Sequence, residues 1–384
     1  MNRKTIILGA AAVLGGLLSC AGECRAQAAF RGLGDLPGST FHSVGQAISS
    51  DGSVVVGMSK GSHGTEAYRW TASGGIEGLG ALPSVAGAIS SAYAVSANGS
   101  VVVGQSLGQQ GQEAFRWNRS EGMIPLGEVA AGFFAIKASG VSADGSTIVG
   151  YGESAHGWEA FRWSAAGGMD LLDDFAGGGF DSRATDVSAD GSAVVGFGSA
   201  GSGIHTAFRW TSATGMQPLG DLPGGSTASE ACAITPDGKI VVGYGSSASG
   251  AEAFRWTASG GMQGLGDLAG GLFSSVALDV SADGAVAVGY GYPSDDYEAF
   301  IWDAVYGMRN LKKVLVDDYE LNLSGWTLKE ARSISADGRR IVGWGYDPAG
   351  NLEGWIATIP EPATLALVGL GGVGILLRRR ALRT

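Results

Sequence analysis

The stretch ACAITPDGKIVVGYGSSASGAEAFRWTASGGMQGLG, residues 231–266, decides the fold, because variants of it recur along the chain. It contains an apolar segment, the turn dipeptide Asp237-Gly238, a Val-Val-Gly segment, an Ala-Phe-Arg-Trp segment and a final segment ending at Leu265-Gly266. Short apolar and β-branched runs separated by glycine-rich turns are typical of antiparallel strands. Each unit therefore predicts four short strands, the first two joined by a two-residue hairpin turn at Asx-Gly.

Two independent markers show the repeat. The tryptophans of the Ala-Phe-Arg-Trp segments are 46 or 47 residues apart, at Trp70, Trp117, Trp163, Trp210, Trp256 and Trp302. The Asx-Gly pairs have the same spacing except for a last step of 54, and they begin at Asp51, Asn98, Asp144, Asp190, Asp237, Asp283 and Asp337. Seven such units predict about 28 strands in an all-β domain over residues 29–359.

The composition of the strands indicates how the units are arranged. Val54-Val55-Val56 is apolar on both faces of its strand, so each small sheet needs a neighbour on both sides. A seven-bladed β-propeller of four-stranded antiparallel blades meets this need, and a β-solenoid is the alternative. The first segment of each unit is rich in small residues, which fit near the propeller axis where the blades converge. The last segment of each unit, which ends at Leu-Gly, is therefore expected to be the outermost strand. We therefore expect the N-terminal copy, 31–34, to complete the seventh blade and close the ring.

The N-terminus has the pattern of a secretion signal. Basic residues precede the apolar run 6–18, and Ala26-Gln27-Ala28 provides the small residues that signal peptidase recognises, so residues 1–28 are expected to be removed after Ala28. The alternative is a lipoprotein signal, in which Cys20 would carry the lipid. Cleavage after Ala28 leaves Cys232 as the one cysteine, predicted to be a buried small apolar residue.

The C-terminus, 360–384, resembles the PEP-CTERM sorting signal. It consists of a Pro-Glu-Pro motif, an apolar segment that predicts a short transmembrane helix, and a basic end: Pro360, Glu361, Pro362, 363–377, Arg378, Arg379 and Arg380. The resemblance implies transient membrane anchoring, processing by an exosortase and release to the cell surface or exopolysaccharide matrix of a Gram-negative bacterium. A permanent C-terminal membrane anchor is the alternative.

The repeat itself resembles that of the HAF-repeat extracellular proteins over residues 30–359. The fifth unit carries Ala253-Phe254, Trp256 and a Gly-Met turn, as the family pattern does, although Glu252 stands where that pattern has histidine. The resemblance implies an extracellular location and supplies no activity. The formal net charge of −11 also makes nucleic acid and anionic membrane surfaces unfavourable partners.

The residues that could carry chemistry form no recognisable catalytic or metal-binding pattern. Arg and Glu of the third segments recur in most units and are interpreted as structural pairs; they are Arg69, Arg116, Arg162, Arg209, Arg255, Glu66, Glu113, Glu159 and Glu252. The histidines fall at unrelated repeat positions and are interpreted as surface residues: His42, His63, His156 and His205. We expect no cofactor, no metal site and no catalytic residue, and leave Ca²⁺ binding by loop carboxylates open.

The most irregular loops lie in the last two units, where aromatic residues stand beside carboxylates. Such pairs suit sugar recognition, and the candidate ligand-binding residues are Tyr292, Asp295, Asp296, Tyr297, Tyr346, Asp347, Asp317, Asp318 and Tyr319. The sequence therefore favours a non-catalytic exported protein that binds extracellular polysaccharide or acts as a scaffold. A secreted glycan-acting hydrolase or lyase is the alternative, and a rigid spacer is a third possibility.

Overall fold

The computed structural model describes residues 27–38, 40–83, 89–109, 111–127, 136–200 and 203–360. These residues form 28 strands in seven four-stranded antiparallel sheets, all within the unit Ala28–Ile359. The predicted seven-bladed β-propeller is confirmed. Within the described ranges, no helix has the length and apolar character needed to cross a bilayer. The predicted signal and the predicted transmembrane helix of the tail fall outside those ranges.

Each blade runs from its innermost to its outermost strand in chain order, and only the outermost strand of blade 7 comes from the N-terminus. That strand is β1, Ala29–Gly32. Blade 1 consists of β2 Ser43–Ile48, β3 Val54–Gly61, β4 Gly64–Thr71 and β5 Gly75–Gly78, and blade 2 consists of β6 Ser90–Val95, β7 Val101–Gly108, β8 Gly111–Asn118 and β9 Gly122–Pro125. Blade 3 consists of β10 Ile136–Val141, β11 Thr147–Glu153, β12 Trp158–Ser164 and β13 Gly168–Leu171, blade 4 of β14 Ser182–Val187, β15 Ala193–Ser199, β16 His205–Thr211 and β17 Gly215–Pro218, and blade 5 of β18 Gly224–Ile234, β19 Ile240–Ser247, β20 Gly250–Thr257 and β21 Gly261–Gly264. Blade 6 consists of β22 Ser275–Val280, β23 Val286–Gly291, β24 Glu298–Asp303 and β25 Gly307–Asn310, and blade 7 contains β26 Thr327–Ile334, β27 Arg340–Tyr346 and β28 Leu352–Thr358 besides β1.

The N-terminal strand closes the ring. β1 pairs antiparallel with β28, and Ala29 lies opposite Thr358 in the register. The predicted closure is confirmed, but the strand covers 29–32 instead of 31–34. The strand ends early because Gly34 has a φ of +79°, a left-handed conformation that leaves the extended path.

Apolar clusters fill all seven gaps between neighbouring blades. The Val54-Val55-Val56 run shows how one strand serves two gaps: Val55 packs towards blade 7, and Val54 and Val56 pack towards blade 2. In the gap between blades 7 and 1, Val55, Tyr68 and Val342 are fully buried. The two-sided apolar strands are therefore explained by a ring that has no uncovered end.

The hairpin between the first two strands of a blade is wider than Asx-Gly alone predicts. In blade 1, the Gly52 amide donates to the Ser49 carbonyl at 2.7 Å, and Gly52 has a φ of +71°. The Ser49 hydroxyl donates to Asp51 Oδ1 at 2.6 Å and accepts from the Val54 amide at 3.0 Å. The prediction of a two-residue turn is wrong, because these side-chain bonds hold a five-residue loop, 49–53.

Candidate functional site on the loop face

The antiparallel meander divides the loops between two faces. The Asx-Gly hairpins lie on one face, and the connections between second and third strands lie on the other, which we call the loop face. Near the loop face, the residue after the Val-Val-Gly or equivalent glycine is aromatic in blades 3 to 7: Tyr151, Phe197, Tyr244, Tyr290 and Trp344. Four of these lie opposite a charged residue of the innermost strand, namely Lys137, Arg183, Glu230 and Glu330. Blades 3, 4, 5 and 7 therefore pair an aromatic with a charged side chain, Tyr290 of blade 6 lies opposite Val276, and blades 1 and 2 carry Met58 and Gln105 at the aromatic position.

Five aromatic rings meet where blades 6 and 7 adjoin, and we call them the aromatic cluster: Tyr290, Tyr292, Tyr297, Trp344 and Tyr346. Tyr297 is central, with ring centroids 5.4 Å from Tyr290, 5.7 Å from Tyr292 and 6.3 Å from Trp344. Trp344 lies 6.3 Å from Tyr346, which is 38% exposed. Three members were predicted from the sequence, whereas Tyr290 and Trp344 were missed.

The carboxylates predicted beside these rings have different roles. Asp296 forms an ion pair with Lys329, whose Nζ also lies 5.4 Å from the centroid of the Tyr297 ring. Asp347 holds its own loop, since Oδ1 accepts from the Asn351 amide and Oδ2 accepts from the Asn351 side chain. Asp295 is exposed in the Tyr292–Tyr297 loop. Asp295 and Asp296 are therefore the charged residues of that loop, and Lys329 of β26 joins Asp296 beside the Tyr297 ring.

The extra residues of the seventh unit form a helical insertion between β25 and β26. It consists of α1, Leu311–Lys313, and a π-helical turn, Val314–Asp318. Asp318 pairs with Arg309 at 2.8 Å, and Tyr319 packs against the apolar cluster between blades 6 and 7. Asp317 and Asp318 line a separate cavity of about 480 Å³ that also contacts Pro293 and Ser294. The structure does not bring Asp317, Asp318 and Tyr319 into the aromatic cluster.

A channel of about 490 Å³ runs along the propeller axis. Every innermost strand contains a β-bulge, and the bulged residue of each blade faces this channel. These residues are chemically diverse: Gln46, Tyr93, Ser139, Thr185, Cys232, Leu278 and Arg332. Bulges re-aim side chains, so they give each blade one variable position on the channel wall.

Two carboxyls lie deeper in the channel. Asp186 accepts from the Ile234 amide at 2.9 Å, and Asp279 accepts from the Ser333 hydroxyl at 2.7 Å, so each links its blade to the next. Burial, together with the charge of Asp279, raises the pKa of the Asp186 carboxyl to about 7. Burial likewise raises the pKa of Asp279 to about 6. Both carboxyls therefore serve as bridges between blades.

The channel has a ring of backbone bonds at its base, on the face of the Asx-Gly hairpins. The amides of Ala97, Ala143 and Ala336 each donate to a carbonyl of the next blade at 3.0–3.1 Å. Pro236 accepts from the Ala189 amide at 3.0 Å but has no N–H with which to continue the ring towards blade 6.

His205 makes more contacts than its interpretation as a surface residue implied. It begins β16, and its Nδ1 lies 2.9 Å from Glu230 Oε1 while its Nε2 lies 3.1 Å from Asp181 Oδ2. Its ring also packs 4.7 Å from Phe197. Among the residues that the structure describes, no group of three or more His, Cys, Asp or Glu is arranged to hold a metal ion.

The repeated charged residues of the third strands make blade-to-blade and local backbone bonds. Arg209 Nε donates to the Gly238 carbonyl of the next blade at 3.1 Å, and Arg255 makes the equivalent bond at 3.2 Å. Glu66 accepts from the Gly80 amide at 2.7 Å. These contacts lie within the scaffold and agree with the structural interpretation of the repeat.

The C-terminal residues 358–380 match the family model described as the PEP-CTERM protein-sorting motif. The predicted sorting tail is thereby confirmed, and it supports an exosortase as a processing partner. No curated protein matches the chain in sequence. The resemblance to the HAF-repeat proteins is not tested by these findings and stays a prediction.

Solved structures share the fold at low sequence identity. Oligogalacturonate lyase from Vibrio parahaemolyticus is 10% identical with a TM-score of 0.53, and the match covers 87% of this chain and 98% of that one. TolB from Acinetobacter baumannii is 11% identical with a TM-score of 0.47 over 81% of this chain, which spans just 65% of TolB. Hydrazine synthase from Kuenenia stuttgartiensis is 15% identical with a TM-score of 0.44, covering 82% and 94% respectively. The likeness to the lyase concerns the fold alone. Together, the sorting motif and the sheet topology describe an exported, surface-sorted protein whose body is a seven-bladed β-propeller.

Proposed function

We propose that this protein is a non-catalytic component of the cell surface or exopolysaccharide matrix of a Gram-negative bacterium, and that it binds extracellular polysaccharide through the aromatic cluster. The observation that carries the proposal is the contact of five aromatic rings across two rigid blades, beside the Asp296–Lys329 ion pair. Aromatic faces provide apolar area at low entropic cost, and neighbouring charged groups can hydrogen-bond hydroxyls.

The sorting motif and the predicted secretion signal support this location, because both would bring the body to a surface rich in polymer. The resemblance of the repeat to extracellular HAF-repeat proteins agrees with it. The rings are set on β23, β27 and the short loops around them, so the surface is held by the scaffold. Loops and strand ends on a rigid scaffold are common places for recognition.

A glycan array with the recombinant body 29–359, in the presence and absence of Ca²⁺, tests the proposal. Trp344→Ala and Tyr297→Ala are expected to weaken binding at least tenfold, since removing a central aromatic contact commonly costs about 2 kcal/mol. Tyr306→Ala is the matched control, because Tyr306 is 63% exposed in a turn on the opposite face. That variant should bind like wild type.

Two results would contradict the proposal. The first is the absence of retention on every polymer, which would favour a spacer. The second is turnover: release of new reducing ends or unsaturated sugars from a bound polymer would favour the glycan-acting enzyme.

A further inference from the structure

Three cations lie on innermost strands of different blades: Lys137 of blade 3, Arg183 of blade 4 and Arg332 of blade 7. Lys137 and Arg183 each stand two residues before the bulged channel residue of their strand, towards the loop face. Arg332 lines the channel directly. Lys137 Nζ lies 3.9 Å from the centroid of the Tyr93 ring, and Tyr93 also lines the channel. Both guanidinium groups are close enough to act electrostatically on Lys137. This concentration of positive charge is unusual in a chain with a net charge of −11.

The positive charge is only partly neutralised by neighbouring acids. Arg332 pairs with Glu330 at 2.6 Å, and Arg183 reaches Asp181 at 3.7 Å. No carboxylate pairs with Lys137 among the residues that the structure describes, and its ammonium faces aromatic rings. A desolvated ammonium without a counter-charge is costly unless an anion completes the site.

Donors are also left without acceptors at this place. Arg183 Nε and Arg332 Nε are buried and have no hydrogen-bond partner within the described part of the chain, and the same holds for the Ser139 hydroxyl on the channel wall. Buried polar groups are nearly always satisfied, so these unmatched groups on β10, β14 and β26 indicate a missing acceptor, even though Asp181 Oδ1, 3.7 Å from Arg183, is itself unmatched. The acceptor would have to be anionic and rich in oxygen.

Aromatic rings frame the same opening. The Arg183 guanidinium lies 5.1 Å from the Trp158 ring, 5.5 Å from Tyr151 and 5.6 Å from Phe197. Rings stacked with arginine hold the guanidinium in place and provide an apolar wall. A pyranose ring that carries an anionic substituent would pack against these aromatic rings while its substituent contacts the guanidinium group.

We infer that the loop-face mouth of the channel binds the carboxylate or sulfate substituents of an acidic extracellular polysaccharide, with Lys137, Arg183 and Arg332 as the cationic contacts. The inference rests on the proposed function and names the class of polymer. It adds a site on blades 3, 4 and 7 to the aromatic cluster of blades 6 and 7.

The protonation of Lys137 gives the site a distinctive signature. Burial, together with the charges of Arg332 and Arg183, lowers the pKa of the Lys137 ammonium to about 8. An anion bound beside it raises that pKa again, so the complex takes up protons at pH 8. Other titratable or charged groups lie around the mouth and channel: Tyr93, Tyr151, Asp181, Asp186, Glu230, Cys232, Asp279, Tyr290 and Glu330.

The experiment is calorimetric titration of the body 29–359 with polygalacturonate and with its carboxyl-reduced counterpart, in buffers of different ionisation enthalpy at pH 8. We expect the acidic polymer to bind at least tenfold more tightly and with proton uptake. Lys137→Gln should remove both the preference and the uptake, and Lys137→Arg should keep the preference without the uptake. Lys60→Gln is the matched control, because Lys60 is exposed near the same face. The thermal stability of each variant confirms that it is folded.

The outcomes separate the two proposals. Equal binding of both polymers, unaffected by Lys137→Gln, would overturn this inference and leave polysaccharide binding standing. Binding of neither polymer, here and on the glycan array, would overturn both. Inorganic sulfate is the third titrant, and an anion site that binds sulfate without preferring the acidic polymer would also overturn the inference.

Discussion

Replacing Phe30 by alanine should loosen the closure of the propeller. Phe30 is the one large apolar side chain of β1, and its ring centroid lies 5.0 Å from Trp326 and 6.0 Å from the fully buried Trp355. Phe→Ala in a core typically costs about 3–5 kcal/mol. Because Phe30 is half-buried, we expect about 2–3 kcal/mol.

The expected change in Tm follows from the size of the body. The unfolding entropy is about 2.1 cal/mol/K per residue, which gives about 0.7 kcal/mol/K for Ala28–Ile359. The Phe30→Ala variant should therefore melt about 3–4 °C below wild type in differential scanning calorimetry. A chain that begins at Leu33 lacks all of β1 and should melt lower still.

Phe180→Ala is the matched control. Phe180 is 53% exposed and contacts the exposed His156 ring, so its removal should change Tm by about 1 °C or less. Equal melting of Phe30→Ala and wild type, or an equal loss in the control, would refute the claim that β1 stabilises the ring.

Three further outcomes are expected of the scaffold. Arg209→Ala removes the bond to the Gly238 carbonyl of the next blade and should lower the free energy of unfolding by about 1 kcal/mol in urea denaturation; an unchanged midpoint would contradict that role. Burial raises the folded-state pKa of Asp279 to about 6 and that of Asp186 to about 7, so their neutral forms stabilise the fold at low pH and this stability is lost as pH rises through 6 to 7. Tm should accordingly fall between pH 5 and pH 7.5, and less steeply in Asp279→Asn; a Tm that rises over this range would disagree. Cys232 is half-buried on the channel wall, and desolvation there raises the pKa of its thiol to about 12. Native protein at pH 8 should therefore react with Ellman's reagent at least a hundredfold more slowly than unfolded protein, and equal rates would count against it.

Much of the fold could be predicted from the sequence because the repeat determines both the number of blades and the way they pack. The period fixes the number of blades, and the two-sided apolar runs such as Val54-Val55-Val56 require neighbours on both faces. The wider hairpin could have been found from the Ser-x-Asx-Gly pattern, in which the residue two before Asx-Gly carries the hydroxyl that spans the loop. The helical insertion after β25 could be located from the longer last step, but its helical form depends on packing against blades 6 and 7.

The candidate site was less predictable. Tyr290 and Trp344 occupy the same repeat position, so aligning the units would have shown an aromatic column in blades 3 to 7. The electrostatic interaction of Arg183 and Arg332 with Lys137 could not be predicted by aligning the units. Lys137 and Arg183 are equivalent, but Arg332 is a bulged residue of another blade, and only the closed ring brings it near them.

The pairing of Ala29 with Thr358 also bears on how the protein is made. Both ends of the body lie in adjacent strands of blade 7, so the N-terminal and C-terminal extensions of the chain leave the scaffold from the same blade. Removal of either extension during maturation would leave this strand pair, and therefore the closed ring, intact.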